Sequence, residues 1–152
     1  MNATVPPATN LYLVVGYDGS PPAGRALDAA VSLLRSRPGS IEVMYVAHLP
    51  SIDMLSASAI GEMETNFDEI ARELRTTASE QLLGREERWR FEWRQGVIPD
   101  ELIAAAERLR DAHPGDTVAI VVGSSSQARH RLVGSAAVSL ARRSPVPLVV
   151  VP

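Results

Sequence analysis

The groups best suited to bind a ligand lie in two segments that are far apart in the sequence. The first segment contains Asp18, which follows the apolar run Leu11–Val15 almost directly. The second contains the small residues Gly123, Ser124, Gly134, Ser135 and Ala136. If both segments end neighbouring parallel strands, they form a crevice lined by a carboxylate, hydroxyls and backbone N–H groups. Such a crevice suits a nucleotide better than it suits acid–base catalysis.

Each candidate residue also has an ordinary structural interpretation. Asp18 can accept a hydrogen bond from a ribose hydroxyl, or it can stabilise the Asp-Gly turn and cap the next helix. Ser135 can donate to a phosphate at the N-terminus of a helix, or it can be the N-cap of that helix. Arg129 and Arg131 lie between the two glycines of the second segment, and they are either phosphate ligands or solvated surface residues. The residues alone leave these alternatives open.

Composition excludes several classes of site. All 15 basic residues are arginine, so the chain has neither the lysine of a Walker-type phosphate loop nor one for a Schiff base. Cysteine is absent, which excludes thiolate chemistry and cysteine-ligated metals, and the three histidines lack metal-site spacing. The net charge of −3 predicts no binding to nucleic acid or to membranes. With no signal peptide visible, we expect a cytoplasmic protein without catalytic residues or a metal site.

Apolar runs and helical periods alternate along the chain after a proline-containing segment, residues 1–10, that we interpret as a flexible tail. The five predicted strands are Leu11–Val15, Ile41–Val46, the segment around Phe91, Thr117–Val122 and Leu148–Val151. Helices are predicted at about 23–35 and 61–83, from residue 98, and at 135–143; residues 47–60 are either a flap over the site or a plain connection. The alternation predicts one α/β domain over residues 11–152, with a parallel sheet covered by helices on both faces.

An aromatic segment indicates how the sheet is wound. Trp89, Phe91 and Trp93 alternate with charged residues, which predicts a strand near an edge of the sheet with one solvated face. We therefore expect the open, doubly wound and Rossmann-like strand order 3-2-1-4-5, in which the first and fourth strands are neighbours. That order places Asp18 and Gly123 side by side at the carboxyl ends of their strands.

Four segments together resemble the universal stress protein family over residues 11–152. They are VVGYDGSPPAGRALDAAVSLL, EVMYVAHLP, QGVIPDELIAAAERL and VVGSSSQARHRLVGSAAVSLARRSPVPLVVVP. The resemblance implies a regulatory protein rather than an enzyme, and a homodimer that pairs through the last strand, Leu148–Val151. It does not identify a protein client.

Nucleotide-binding members of this family carry a glycine motif that holds ATP. Transferred to this chain, the resemblance implies an ATP site, with Mg²⁺ if ATP is bound, formed by Asp18, Val46, Gly123, Ser124, Gly134, Ser135 and Ala136. In it, Asp18 lies near the ribose and Val46 near the adenine. Two departures stand against binding: Ser126 replaces the second glycine, and seven residues rather than nine separate it from the last Gly-Ser pair. The predicted function is thus a regulatory module that binds an adenine nucleotide weakly, and the alternative is a member that binds none and acts through its dimer surface.

A third class of function is an adenylyl-transfer enzyme on a related scaffold. Such an enzyme needs a dedicated motif, for instance a His-x-x-His turn or a glycine-rich pyrophosphate loop after the first strand. The sequence has neither motif, so we favour a binding module over an enzyme.

Overall fold

A computed structural model describes residues 9–35, 37–48, 56–84, 88–124 and 134–152 of the chain. Its strands are β1 (Leu11–Gly16), β2 (Gly39–Ala47), β3 (Trp89–Gln95), β4 (Thr117–Gly123) and β5 (Leu148–Val151). Its helices are α1 (Pro21–Leu34), α2 (Ala57–Gln81), α3 (Ile98–Ala112) and α4 (Ser135–Arg143). The strands pair in parallel in the order β3-β2-β1-β4-β5. The predicted fold class and strand order are therefore confirmed.

The central strands β1 and β4 are apolar along their length because helices cover them on both faces. The two strands pair in register, with Val15 opposite Val121. Both residues are fully buried, and so are their neighbours Val14 and Ile120, whose side chains point to the other face. Burial on both faces is typical of parallel strands in α/β proteins. The register brings the carboxyl ends of β1 and β4 together, as the sequence predicted.

Side chains from the two faces of the sheet enter two separate cores. On one face, Leu13 and Val43 pack with residues of α1 and α2, among them the fully buried Leu27. On the other face, Met44 packs with residues of α3 and α4, among them Leu102. The helices thus lie on both sides of the sheet, and the starts of α1, α3 and α4 all meet the carboxyl ends of the strands.

The edge strand β3 has the solvated face that its alternating residues predicted. On that face, the neighbouring strand β2 carries Glu42, which is only 2% exposed. Arg90 binds the Glu42 carboxylate through Nε at 3.1 Å and Nη2 at 2.5 Å, and Arg108 Nη2 lies 3.4 Å from its other oxygen. The hydrogen bond to Glu42 raises the pKa of Arg90. A buried carboxylate needs such partners, and the sequence analysis had not singled out this one.

Helix α2 begins earlier than predicted, at Ala57 rather than at about residue 61. The reason is Ser56, the N-cap, whose hydroxyl accepts a hydrogen bond from a backbone N–H of the first turn over 3.3 Å. The predicted connection at 47–60 is shorter accordingly, and its residues 49–55 lie outside the described part of the chain. Although α2 has 25 residues, neither it nor another described helix is apolar enough to cross a membrane.

Asn10, which the sequence assigned to the tail, is fixed against the start of β4. Its backbone N–H and its side-chain amide donate to the two carboxylate oxygens of Asp116, at 3.0 and 3.1 Å. Its carbonyl accepts from the N–H of Thr117 at 3.0 Å. Residues 1–8 of the predicted tail lie outside the described residues.

Candidate functional site

A cleft of about 240 Å³ opens at the carboxyl ends of β1, β2 and β4. It is lined by all seven residues that the sequence assigned to a nucleotide: Asp18, Val46, Gly123, Ser124, Gly134, Ser135 and Ala136. The fold therefore brings together segments that are far apart in the chain, because the order of the sheet places β1 between β2 and β4. Their contact with a nucleotide stays a prediction.

On the β1 side of the cleft, Asp18 stabilises the turn into α1. Its Oδ1 accepts a hydrogen bond from the N–H of Ser20 over 3.0 Å. Gly19, between them, has a φ of 77°, in the left-handed region that glycine adopts without strain. The turn interpretation of Asp18 is thus correct. The residue is nevertheless exposed at the cleft, and its Oδ2 has no hydrogen-bond partner among the described residues.

Ser20, not Asp18, is the N-cap of α1. Its hydroxyl accepts a hydrogen bond from the N–H of Ala23 at 3.3 Å, and its carbonyl accepts from the N–H of Gly24 at 2.9 Å. Pro21 and Pro22, the first two helical residues, have no N–H. The start of α1 therefore has no backbone donor left for a ligand.

Gly123 is required by packing at the end of β4. A Cβ atom at this position would lie 2.5 Å from both the carbonyl carbon and the carbonyl oxygen of Pro22. Gly123 does not have a positive φ, so its backbone conformation does not require glycine. Glycine is needed here because the backbone of α1 comes so close. The sequence analysis had attributed Gly123 to a ligand alone and had no means of seeing this contact, because Pro22 is far away in the chain.

On the β4 side of the cleft, α4 begins without a side-chain cap. Its N-cap is Gly134, with the extended backbone that a cap requires (φ −60°, ψ 157°). Ser135 is the first helical residue, so its interpretation as the N-cap is wrong. The N–H of Val138 bonds to the Gly134 carbonyl at 3.0 Å, whereas the N–H groups of residues 135–137 have no partner within the described ranges. Free N–H groups at the positive end of a helix dipole favour an anion.

The segment between β4 and α4 is described only at its two ends. Ser124 donates its N–H to the carbonyl of Val151 over 2.7 Å, which fixes the exit of β4 against β5. Ser124 therefore offers the cleft its hydroxyl and not its N–H. Three residues that the sequence analysis singled out lie outside the described residues. They are Ser126, which departs from the glycine motif of the family, and Arg129 and Arg131, which were candidate phosphate ligands.

The third helix at the cleft, α3, contributes an apolar wall. Apolar side chains from β2 and α3 line this part of the cleft: Met44, Val46, Ile98 and Leu102. The N-terminus of α3 is unsuited to an anion, since its first turn contains Pro99 and the acidic residues Asp100 and Glu101. The cleft thus has an apolar side between β2 and α3 and a side rich in hydrogen-bond donors at α4.

Two tyrosines that the sequence analysis missed also line the cleft. Tyr17 follows β1, and its N–H donates to the carbonyl of Met44 at 2.9 Å, which holds the ends of β1 and β2 together. Tyr45 lies in β2. Burial, and to a smaller extent the charge of Asp18, raises the pKa of both phenols. A signal was present in the sequence, because each tyrosine is a polar-tipped residue within or at the end of an otherwise apolar strand.

Several solved structures share this fold. The universal stress protein UspA from Lactobacillus plantarum has a TM-score of 0.72 and 18% identity, over 95% of this chain and 99% of that one. A universal stress protein in complex with cAMP has a TM-score of 0.64 and 22% identity, over 95% and 99%. A universal stress protein family protein from Arabidopsis thaliana with AMP bound has a TM-score of 0.56 and 12% identity, over 93% and 90%. At these identities the likeness establishes the fold.

A family model establishes the family. A comparison with curated proteins found no match. The model of the universal stress protein family, in contrast, matches residues 12–152. This match covers nearly the whole chain, so the protein belongs to the universal stress protein family.

Proposed function

We propose that this member of the universal stress protein family is a regulatory module that holds an adenine nucleotide, ATP with Mg²⁺, in the cleft. One observation carries the proposal: the carboxylate of Asp18 and the uncapped start of α4 line the same cleft. A nucleotide has the matching groups, a ribose whose hydroxyls donate hydrogen bonds and phosphates that accept them. Two relatives of low identity hold cAMP and AMP, which favours a nucleotide over other anions.

Each part of the nucleotide meets a different environment in this proposal. The adenine packs against the apolar wall that includes Met44 and Val46. The ribose donates to Oδ2 of Asp18. The phosphates accept hydrogen bonds from the first N–H groups of α4 and from the hydroxyls of Ser124 and Ser135. Mg²⁺ would enter the cleft with the phosphates, since the described residues contain no group of three or more acidic, histidine or cysteine side chains that could hold a metal ion.

We propose that the binding is weak and that it is not followed by turnover. Among the described lining residues, Asp18 is the one charged side chain, and none is arginine or histidine. Neutral donors hold a phosphate less strongly than guanidinium groups do. Among the same residues, Asp18 accepts from the backbone N–H of Ser20, and no hydrogen bond within the described parts of the chain joins it to a serine hydroxyl, as the activation of a serine nucleophile would require. The module then acts in the cytoplasm by changing its state when nucleotide binds.

Calorimetric titration tests this proposal. We expect heat with ATP and Mg²⁺ and a lower affinity for adenosine, which lacks the phosphates. Asp18→Asn removes the charge while keeping the shape of the turn residue, and we expect it to weaken both ligands. The matched control is Asp111→Asn, since Asp111 lies near the opposite end of α3 and its side chain is 79% exposed. No heat at millimolar ATP contradicts the proposal and supports a member with an empty site.

We also propose that the protein is a homodimer joined through β5. This strand lies at an edge of the sheet, and all four of its residues are only half-buried, although they pack against the two cores alternately. An exposed apolar edge strand is a template for pairing, and a second copy supplies the same edge. A dimer surface of this kind is also what a member without nucleotide would use.

Light scattering coupled to size-exclusion chromatography tests the dimer. We expect the mass of a dimer for the wild type and of a monomer for Val150→Arg, which places a charge at the edge. Leu33→Arg is the control, because Leu33 is 44% exposed and lies on the helix α1, outside the sheet. A wild-type monomer at high protein concentration contradicts this proposal, and so does an equal effect of both substitutions.

A further inference from the structure

A second cavity, of about 310 Å³, lies at the opposite end of the sheet from the cleft. It is formed where β2 and β3 begin and where α1 and α2 end, and it is lined by Ile41 and Trp89, which are opposite each other in the register of the two strands. Among the described residues, none lines both this cavity and the cleft. The cavity is therefore a separate candidate site, with room for a small ligand and not only for a single water molecule.

The indole of Trp89, in the wall of this cavity, carries a donor without a partner. Its nitrogen, Nε1, is buried and makes no hydrogen bond within the described parts of the chain. Buried donors in native proteins are normally paired with the protein or with a bound molecule, because an unpaired donor destabilises the fold. Trp89 lines the cavity, so a molecule with a hydrogen-bond acceptor that binds there can supply the missing partner.

Two arginines at the cavity have no carboxylate partner in the described parts of the chain. Arg88 donates to two backbone carbonyls that follow α1, through Nη1 to that of Arg35 at 2.7 Å and through Nη2 to that of Arg37. These bonds fix the guanidinium group and use two of its five N–H donors. The exposed side chain of Arg35 makes no hydrogen bond or ion pair with any described residue. The dipoles of α1 and α2 favour a cation at this end, and the two guanidinium groups already supply that charge.

The other side chains of the lining are apolar. They are Val31, Leu34, Ile41, Leu82, Leu83 and Trp89. Leu83 is 79% exposed, more than any other large apolar side chain in the described parts of the chain. The described lining contains no acidic side chain and no neutral side chain that accepts a hydrogen bond. A ligand that complements this cavity therefore has an apolar body and a negatively charged acceptor group.

We propose that this cavity binds a small apolar carboxylate. Its oxygens accept hydrogen bonds from the guanidinium group of Arg35, from the remaining N–H donors of Arg88 and from the indole N–H of Trp89. Its hydrocarbon part packs against the apolar side chains of the lining and covers Leu83. A carboxylate is planar and matches the fork of N–H groups of a guanidinium. The inference goes beyond the nucleotide proposal and does not depend on it.

NMR titration with octanoate tests this inference, because the indole N–H of Trp89 has its own signal in a proton–nitrogen correlation spectrum. The chain contains one other tryptophan, Trp93, so the spectrum of Trp93→Phe assigns the Trp89 signal. We expect octanoate to shift this signal saturably. Octylammonium has the same chain and the opposite charge, and we expect it to leave the signal in place. Added ATP should not reverse the shift, because the cleft lies at the other end of the sheet.

Arg35→Gln tests the charge in the cavity. The side chain is exposed and makes no contact that the fold needs, so we expect a folded variant that binds octanoate about tenfold more weakly, the effect of one charge-assisted hydrogen bond. Arg142→Gln is the matched control. Arg142 is also an exposed arginine at the end of a helix, in the last turn of α4, which packs on the other face of the sheet. We expect this variant to bind octanoate as the wild type does.

The other outcomes overturn the inference. No saturable shift of the Trp89 signal at millimolar octanoate contradicts a carboxylate site, and an equal shift with octylammonium shows that the cavity does not select a negative charge. An equal affinity of Arg35→Gln and Arg142→Gln for octanoate contradicts the role of Arg35. Displacement of octanoate by ATP would place its site in the cleft. The nucleotide proposal is decided separately, by the titration with ATP.

Discussion

Two helices, α1 and α4, present their N-termini to one cleft, yet only one of them has donors to offer. At α1, two prolines lack the N–H group, and Ser20 accepts from the next two N–H groups through its hydroxyl and its carbonyl. At α4, Gly134 supplies a carbonyl but no side chain, and the N–H groups of residues 135–137 have no described partner. A helix N-terminus is therefore a candidate anion site only when its first donors are not already used.

The difference between α1 and α4 also indicates how a ligand would be oriented in the cleft. The start of α1 has no free N–H group, and α3 begins with acidic residues. The best hydrogen-bond donors for phosphates are therefore at the start of α4. Asp18 lies on the opposite side, at the start of α1, and suits a part of the ligand that donates. A ligand with an anionic end and a hydroxyl-bearing middle matches this arrangement, and the apolar wall of β2 and α3 matches a flat base.

The largest effect is expected where the two sides of the cleft touch, at Gly123. Replacing it by alanine puts a Cβ atom 2.5 Å from the Pro22 backbone, which must move. We expect Gly123→Ala to lower the free energy of unfolding by about 2–3 kcal/mol, as overpacking does. Urea denaturation measures the change, and nucleotide binding should be lost because the start of α1 shifts.

Gly61→Ala is the control for the glycine substitution. Gly61 lies inside α2, and a Cβ atom there would meet nothing within 4 Å. We expect this variant to be more stable than the wild type by about 0.5–1 kcal/mol, because alanine has the higher helix propensity. A stable Gly123→Ala variant that still binds nucleotide would show that the contact between β4 and α1 does not shape the cleft.

The second prediction concerns a proline substitution at the start of α4, which removes a backbone N–H group as the two prolines of α1 do. Ser135→Pro removes the first N–H of α4, and proline is tolerated at this position because Gly134 already has an extended backbone. Ser135→Ala, the control, removes the hydroxyl alone. We expect the proline variant to bind ATP about tenfold more weakly than the alanine variant, with both binding adenosine equally, as measured by calorimetry. An equal affinity of the two variants for ATP contradicts the assignment of phosphates to α4.

The comparison also separates what the sequence could predict from what it could not. The strand order followed from the local periods and from the rules of sheet topology. The set of seven lining residues was implied by the family resemblance. The sequence did not predict that α4 begins without a side-chain cap. Gly134 and Ser135 are adjacent, and only the backbone dihedral angles show that Gly134 and not Ser135 is the N-cap. The packing role of Gly123 did not follow either, because it depends on Pro22, which is far away in the sequence.

The smallest effect on nucleotide binding is expected from removing the N-cap of α1. Ser20→Ala removes the hydroxyl that accepts from the N–H of Ala23, and we expect it to lower the free energy of unfolding by about 1 kcal/mol. Ser56→Ala removes the equivalent cap of α2, which has the same 3.3 Å geometry, and should cost a similar amount. Only Ser20→Ala frees a donor at the cleft. Because two prolines still precede that donor, we expect the ATP affinity to stay unchanged, and a marked gain in calorimetric affinity would mean that α1 competes with α4 for the phosphates.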